Sequence, residues 1–200
     1  MSTLGDAADA ADHAAPDAAT IARLIAGDVL ALRQAFAEHG AHLTTVAIIL
    51  TGSPDLAAEA VQDAFIQLWN ARATLGPVRH LRGYLTTMTS RRARDIWRHE
   101  QMHARIARTL TDHLVADRAS VAYNEGSQAI ESEELEARVA AAIDALPARC
   151  SEVFRLRHEA HLTYPEIAAA LELSEMAVRK HISRAMHAVV AAVTAWRNGN

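Results

Sequence analysis

The sequence predicts an all-α protein: two small helical domains joined by a linker, the C-terminal one carrying a helix-turn-helix. Three observations lead there. Half of the residues are hydrophobic, much of that share is alanine, and only 4% are aromatic, which suits closely packed helices and leaves little material for a sheet. Apolar residues recur at three- and four-residue spacing through most of the chain, the period of a helix with one buried face. Between two such stretches the pattern fades into a polar, acidic tract that reads as a linker.

In chain order, residues 1–20 are rich in Ala and Asp and read as a disordered or frayed tail. A first domain spans 21–100. Leu24, Val29, Leu32 and Phe36 give its first apolar face, with Gly27-Asp28 breaking or beginning the run. Gly40 ends or bends it, and Leu43, Val46, Ala47, Ile49 and Leu50 continue the face. Thr51-Gly52-Ser53-Pro54 punctuates the chain, with Ser53 or Asp55 as the next cap and Pro54 inside the first helical turn. The helix from Asp55 to Trp69 buries Leu56, Ala60, Val61, Ala64, Phe65 and Leu68. Its other side presents Glu59, Gln62 and Asp63, a ridge that composition alone reads as a solvated face. A loop centred on Gly76-Pro77 leads from Ala71 to His80, and a helix follows from Leu81 to His99.

Residues 101–134 lose clear periodicity and form the linker, with Tyr123 unplaced. The second domain, 135–196, opens on an amphipathic helix through Leu135, Val139, Ile143 and Leu146, which Pro147 stops. Ala148 to His158 makes another helix, holding Val153, Phe154 and Leu156. From Leu162 to Val190 the chain reads as two helices and a tight turn. Thr163 caps the first, whose apolar positions are Ile167, Ala168 and Leu171. Leu173 and Ser174 make the turn, and Ser174 caps the second, with Met176, Val178, Ile182, Ala185 and Met186 as its apolar positions.

A net charge of -4 by itself argues against a nucleic-acid partner, but the distribution of that charge argues for one. Residues 1–70 carry nine acids and two bases, whereas 71–108 carry nine arginines against two acids. Residues 109–144 return to eight acids and two arginines, and from Met176 onward there are four bases and no acid. Two basic islands separated by an acidic tract point to two surfaces for a polyanion. In the first island Arg91, Arg92, Arg94 and Arg98 accompany Tyr84 and Trp97, with Arg79 in the preceding loop. Guanidinium forks bind phosphate and aromatic rings stack on bases, the chemistry of single-strand binding; each ring reads equally as half-buried core. In the second island Arg179, Lys180, Arg184 and His181 fall on the exposed side of a basic helix behind a short helix and turn. That geometry places side chains in the DNA major groove.

The excluded classes follow from what is missing. One cysteine, Cys150, has no partner within the chain, which removes an intramolecular disulfide or a cysteine metal site and suits a reducing cytoplasm. No apolar run is long enough for membrane insertion, and no signal-peptide pattern opens the chain. His99 and His103, or His158 and His161, lie at helical spacing without a His-Glu-x-x-His pattern or a third ligand, so no metal is expected. No nucleophile elbow and no glycine-rich phosphate loop are present. The expectation is a protein without catalytic activity and without cofactors.

With both basic helices in view, the layout over residues 25–190 resembles the sigma-70 superfamily, specifically the small extracytoplasmic-function (ECF) sigma factors, and among these the iron-uptake type. Asp55-Leu56-Ala57-Ala58-Glu59-Ala60-Val61-Gln62-Asp63-Ala64-Phe65 is similar to the family helix that docks on core RNA polymerase, which makes Glu59, Gln62 and Asp63 the implied polymerase contacts. The loop 71–80 matches the one that takes up a flipped base of the −10 element. Leu81-Arg82-Gly83-Tyr84-Leu85, Met88-Thr89, Asp95 and Arg98 resemble the −10 helix, with Arg91 where the family has asparagine. The second domain is the fuller match: Leu146-Pro147, Val153-Phe154-Arg155-Leu156, Leu162-Thr163-Tyr164-Pro165-Glu166-Ile167-Ala168, Leu171, Ser174 and Ala177-Val178-Arg179-Lys180-His181-Ile182. The Val-x-Lys-His-Ile ending carries the likeness to the iron-uptake type.

The resemblance implies a transcription initiation factor that binds core RNA polymerase in the cytoplasm and directs it to specific promoters. Ser174, Arg179, Lys180, His181 and Arg184 would meet duplex DNA at −35. Arg79, Tyr84, Arg91, Arg92, Arg94, Trp97 and Arg98 would meet single-stranded DNA near −10. An anti-sigma protein is the further partner that such factors often have. The helix pair at 162–190 alone also fits a one-component regulator with a helical sensor domain, which would bind a palindrome as a dimer without polymerase.

Overall fold

Every regular element among the described residues is helical. The computed structural model describes residues 14–110 and 130–199, with side chains over 17–102 and 135–197. Residues 1–13 and 111–129, which include Tyr123 and the middle of the expected linker, lie outside them. The helices are α1 (Ala14–Ile25), α2 (Val29–Thr51), α3 (Pro54–Asn70), a 3-10 turn (Arg72–Thr74), α4 (Leu81–Leu110), α5 (Ile130–Asp144), α6 (Ala148–His158), α7 (Tyr164–Leu171) and α8 (Glu175–Gly199).

The first half is an α2–α3–α4 bundle with α1 laid against α2. Where composition suggests a tail through residue 20, α1 begins at Ala14 and is docked. Its Asp17 is buried and accepts a hydrogen bond from the Leu81 backbone N–H at 3.1 Å, satisfying a donor at the start of α4 that the helix itself leaves unpaired. Asp28 caps α2 by accepting from the Leu30 N–H at 2.8 Å, and Arg23 holds the same carboxylate. The helix then runs unbroken through Gly40 to Thr51. Gly52 ends it in the left-handed region, φ 69°, where its N–H reaches the Ile48 carbonyl at 2.8 Å. Ser53, rather than Asp55, caps α3, with Pro54 in the first turn.

The buried stripe of α2 is Ala31, Ala35, Leu43, Val46, Ala47 and Leu50, not the stripe through Val29 and Phe36 that the sequence suggests. Phe36 is 53% exposed and packs edge-on against Phe65 at 5.1 Å. The physical reason is separation. The alanines let α2 approach its neighbours closely, and the larger ring one residue out of phase is left at the rim. Leu43, Val46, Leu68, Leu81 and Leu85 are wholly buried at the centre. Each contributes on the order of 2 kcal/mol through removal of apolar surface from water.

In the second half, α8 packs on α5, α6 and α7. Val178, Ile182 and Ala185 are its buried positions, while Met176 and Met186, counted with them as apolar positions by spacing, face out, Met176 being 75% exposed. The two halves touch along α4 against α7 and α2 against α6, and one buried apolar cluster runs from Ile21 to Ile182. Arg82, Thr86, Ser90 and Arg94 recur every fourth residue along α4, giving one polar stripe. Thr86 lies 3.4 Å from the His42 ring of α2, and Arg94 reaches Glu172 just past α7.

Candidate nucleic-acid interface

The C-terminal surface is set by its caps. Thr163 and Glu166 form a reciprocal capping box: Thr163 Oγ1 accepts from the Glu166 N–H, and the Glu166 carboxylate accepts from the Thr163 N–H at 2.8 Å. After Leu171, Glu172 takes a left-handed conformation, φ 55°, and the Leu173 N–H bonds the Ala168 carbonyl, closing the turn. Ser174 Oγ then accepts from the Ala177 N–H at 3.2 Å and starts α8. With Val178, Ile182 and Ala185 pointing inward, Arg179, Lys180, Ser183, Arg184 and His187 are left exposed. At 3.6 residues per turn these five fall within an arc of roughly 140°.

No carboxylate among the described residues pairs with Arg179, Lys180 or Arg184, so the arc presents free cations. His181 stands apart from them. It is half-buried, its Nδ1 lies 3.1 Å from the buried Cys150 thiol, and its pKa is lowered by burial and then by Arg149, Arg184 and Lys180. A neutral His181 is therefore a packing and hydrogen-bonding group at the edge of the arc. The Cys150–His181 contact and the Arg157–Tyr164–Arg179 grouping are not legible in the sequence, because their members meet only once the helices have folded together.

The N-terminal surface is a cleft of about 540 Å³ between the loop before α4 and the helix itself. Its lining includes Arg79, Tyr84 and Arg91, three of the residues singled out by sequence, and adds His80 and Thr87. Guanidinium groups and a phenol ring around an open cleft suit a base and its phosphate. The remaining members of the set are placed elsewhere. Arg92 donates to Asp63 and lies 3.5 Å from Glu59 on α3. Arg94 is buried and pairs with Glu172 at 3.0 Å. Arg98 pairs with Asp95 on its own helix, and Trp97 is 39% exposed outside the cleft.

The α3 ridge is accordingly half neutralised: Glu59 and Asp63 hold Arg92, while Gln62 borders an apolar groove of about 560 Å³ with Leu32, Phe36, Phe65, Ile66 and Trp69. Among the described residues no helix is long and apolar enough to cross a membrane.

Known proteins match this arrangement half by half. Residues 35–102 fit the model of sigma-70 region 2, and residues 136–189 that of sigma-70 region 4. A probable RNA polymerase sigma factor, RfaY of Xanthomonas campestris pv. campestris, is 28% identical over 72% of this chain, which spans 35% of that protein's length. RNA polymerase sigma factor CnrH of Cupriavidus metallidurans is 32% identical over 82% of this chain and 87% of its own. The structure of CnrH in complex with the cytosolic domain of CnrY superposes with a TM-score of 0.57 at 26% identity, covering 88% of this chain and 96% of that one. The sigma factor RpoE of Bartonella quintana, solved with the anti-sigma factor NepR, shares the fold at 18% identity and a TM-score of 0.58, over 81% of this chain and 96% of its own. Two region models in the right order, with a relative matched along most of its length, settle the family: the chain belongs to the ECF RNA polymerase sigma factors of the sigma-70 superfamily, non-catalytic factors that bind core polymerase and direct it to promoters.

Proposed function

We propose that this chain initiates transcription through two DNA surfaces of different chemistry, carried by units at 21–100 and 135–196 with residues 101–134 between them. The observation that carries the reading is the pairing of an open arginine-and-tyrosine cleft at 77–91 with a free cationic arc on α8. The arc, with Arg179, Lys180 and Arg184 and with Ser174 and His181 at its edges, meets the −35 duplex in the major groove. The cleft, with Arg79, Tyr84 and Arg91, holds the separated strand near −10, and Trp97 offers a further stacking face. Arg92, Arg94 and Arg98 reach DNA only by exchanging their carboxylate partners for phosphates. Glu59, Gln62 and Asp63, beside the apolar groove, form the face for core RNA polymerase.

The chain acts in the cytoplasm, where polymerase and promoter are, and an anti-sigma protein restrains it. Support for that partner comes from RpoE, which shares the fold and was solved with the anti-sigma factor NepR, and from CnrH, solved with the cytosolic domain of CnrY. The Val178-x-Lys180-His181-Ile182 ending is what supports reading it as the iron-uptake type. The test is co-purification with core RNA polymerase followed by run-off transcription from genomic fragments. Stable association and initiation at a subset of fragments is expected; absence of association under conditions that support transcription by another sigma factor sinks the reading.

A further inference from the structure

The geometry points to Tyr164 as a positioning residue that presets Arg179 for the −35 duplex. Tyr164 is the first residue of α7, and its backbone is fixed from both sides: the Thr163–Glu166 capping box brackets it and Pro165 follows it. Its ring is half-buried against the apolar core. Two guanidinium groups from different helices lie against that ring. Arg179 of α8 stands 5.1 Å from the ring centroid, and Arg157 of α6 stands 5.5 Å from it. Arg157 is held in addition by its bond to the Leu162 carbonyl at 2.9 Å, which ties the end of α6 to the loop before Tyr164. The ring is therefore a fixed platform.

A guanidinium over an aromatic face is attracted by the ring quadrupole while its N–H edges stay free for other partners. Arg179 has no carboxylate partner among the described residues to compete with DNA. A free arginine side chain loses rotamer freedom when it engages a base edge; one already stacked has lost much of it beforehand. Tyr164 itself does not need to touch DNA. The hydroxyl has no part in this role, so the ring alone accounts for it.

This inference rests on the reading of Arg179 as a −35 contact, and the experiment separates the two. The probe is the duplex that wild-type holoenzyme enriches most from promoter fragments randomised through the −35 region, with a scrambled −35 duplex as reference. Binding by holoenzyme carrying Arg179→Ala, Tyr164→Phe, Tyr164→Leu or the Tyr164→Leu/Arg179→Ala pair is compared, each checked by thermal melting. Arg179→Ala should lose about tenfold in preference for the selected duplex. Tyr164→Phe should stay within about twofold of wild type, and Tyr164→Leu should lose about three- to fivefold, since cation–π contacts at exposed sites are modest. The pair should be no worse than Arg179→Ala alone. Should Tyr164→Leu melt, Tyr164→Met takes its place.

If Arg179→Ala binds as wild type, the contact reading and this inference both fall. If Arg179→Ala is impaired while Tyr164→Leu is neutral, or if the two losses multiply, the positioning role alone is overturned. A merely structural Tyr164 would weaken binding with or without Arg179, so the double variant discriminates.

Discussion

The basic helices α4 and α8 both carry net positive charge and are built for opposite conditions. On α8 Arg179, Lys180 and Arg184 have no carboxylate partner among the described residues, and the exposed arc they make is in place before any DNA arrives. On α4 three of the arginines are already engaged: Arg92 with Asp63 and Glu59, Arg94 with Glu172, and Arg98 with Asp95. Among the described arginines of α4, Arg91 is the one that opens onto the cleft, with Arg79 and Tyr84. A cluster of arginines in sequence is therefore not a cluster of DNA contacts in space. A duplex reader can be rigid and preassembled because its ligand has a fixed shape. The strand-binding helix must also hold together its own bundle and its junction with the second half, and Arg92 and Arg94 serve those ends.

Arg179 is where the contrast between the two helices is most exposed to test. Arg179→Ala should cost about tenfold in promoter preference, in line with the 1–3 kcal/mol typical of a specific base contact, with melting unchanged. Arg92→Ala should do the reverse. Its two carboxylate partners make it a bundle residue, so melting should fall by up to about 1 kcal/mol in stability, with a smaller effect on promoter preference than Arg91→Ala. Equal effects of Arg91→Ala and Arg92→Ala on DNA would erase the distinction drawn along α4. Glu172→Gln, which removes the charge facing the buried Arg94 and keeps the left-handed backbone, should lower the melting midpoint slightly, and added salt should diminish the difference.

A separate effect is expected on pH. Burial, and then the Arg82 charge, hold His42 down to about 4, from an ordinary 6.5, against the pull of Glu166. The unfolded chain takes up this proton first, so stability declines as pH falls from 6.5 towards 4 and the loss is complete below that. His158 and His181, also lowered chiefly by burial, act in the same direction. Glu172, lowered by its bond to Arg94, adds a loss below its ordinary 4.5, while Glu152, raised by burial, opposes it. Melting followed between pH 7 and 4 should flatten in His42→Gln; an unchanged slope would show that His42 does not set the acid limb.

What is legible in the sequence is local. The Thr163 cap, the Ser174 cap, Pro54 after Ser53 and the Val178–Ile182 stripe each follow from neighbours three or four residues away. The family patterns are made of such spacings. What stays hidden depends on contacts far apart in the chain. Phe36 reads as core because its spacing fits, but only the packed bundle shows that Ala31 and Ala35 take the inner face. Likewise Arg94 reads as a free cation until Glu172, held 78 positions away, closes on it. The docked α1 is concealed by its composition, which is that of a tail, whereas Asp17 acts as a cap for a helix that begins 64 residues later.

Strand opening tested against duplex binding probes the central claim most directly. On the selected promoter duplex, permanganate reactivity of −10 thymines reports opening, and nuclease protection reports the −35 contact. Holoenzyme with Tyr84→Ala and Arg91→Ala together should keep −35 protection and lose −10 reactivity, whereas Arg179→Ala should lose −35 protection first. Parallel loss of both signals in both variants, or of neither, would contradict two separate surfaces.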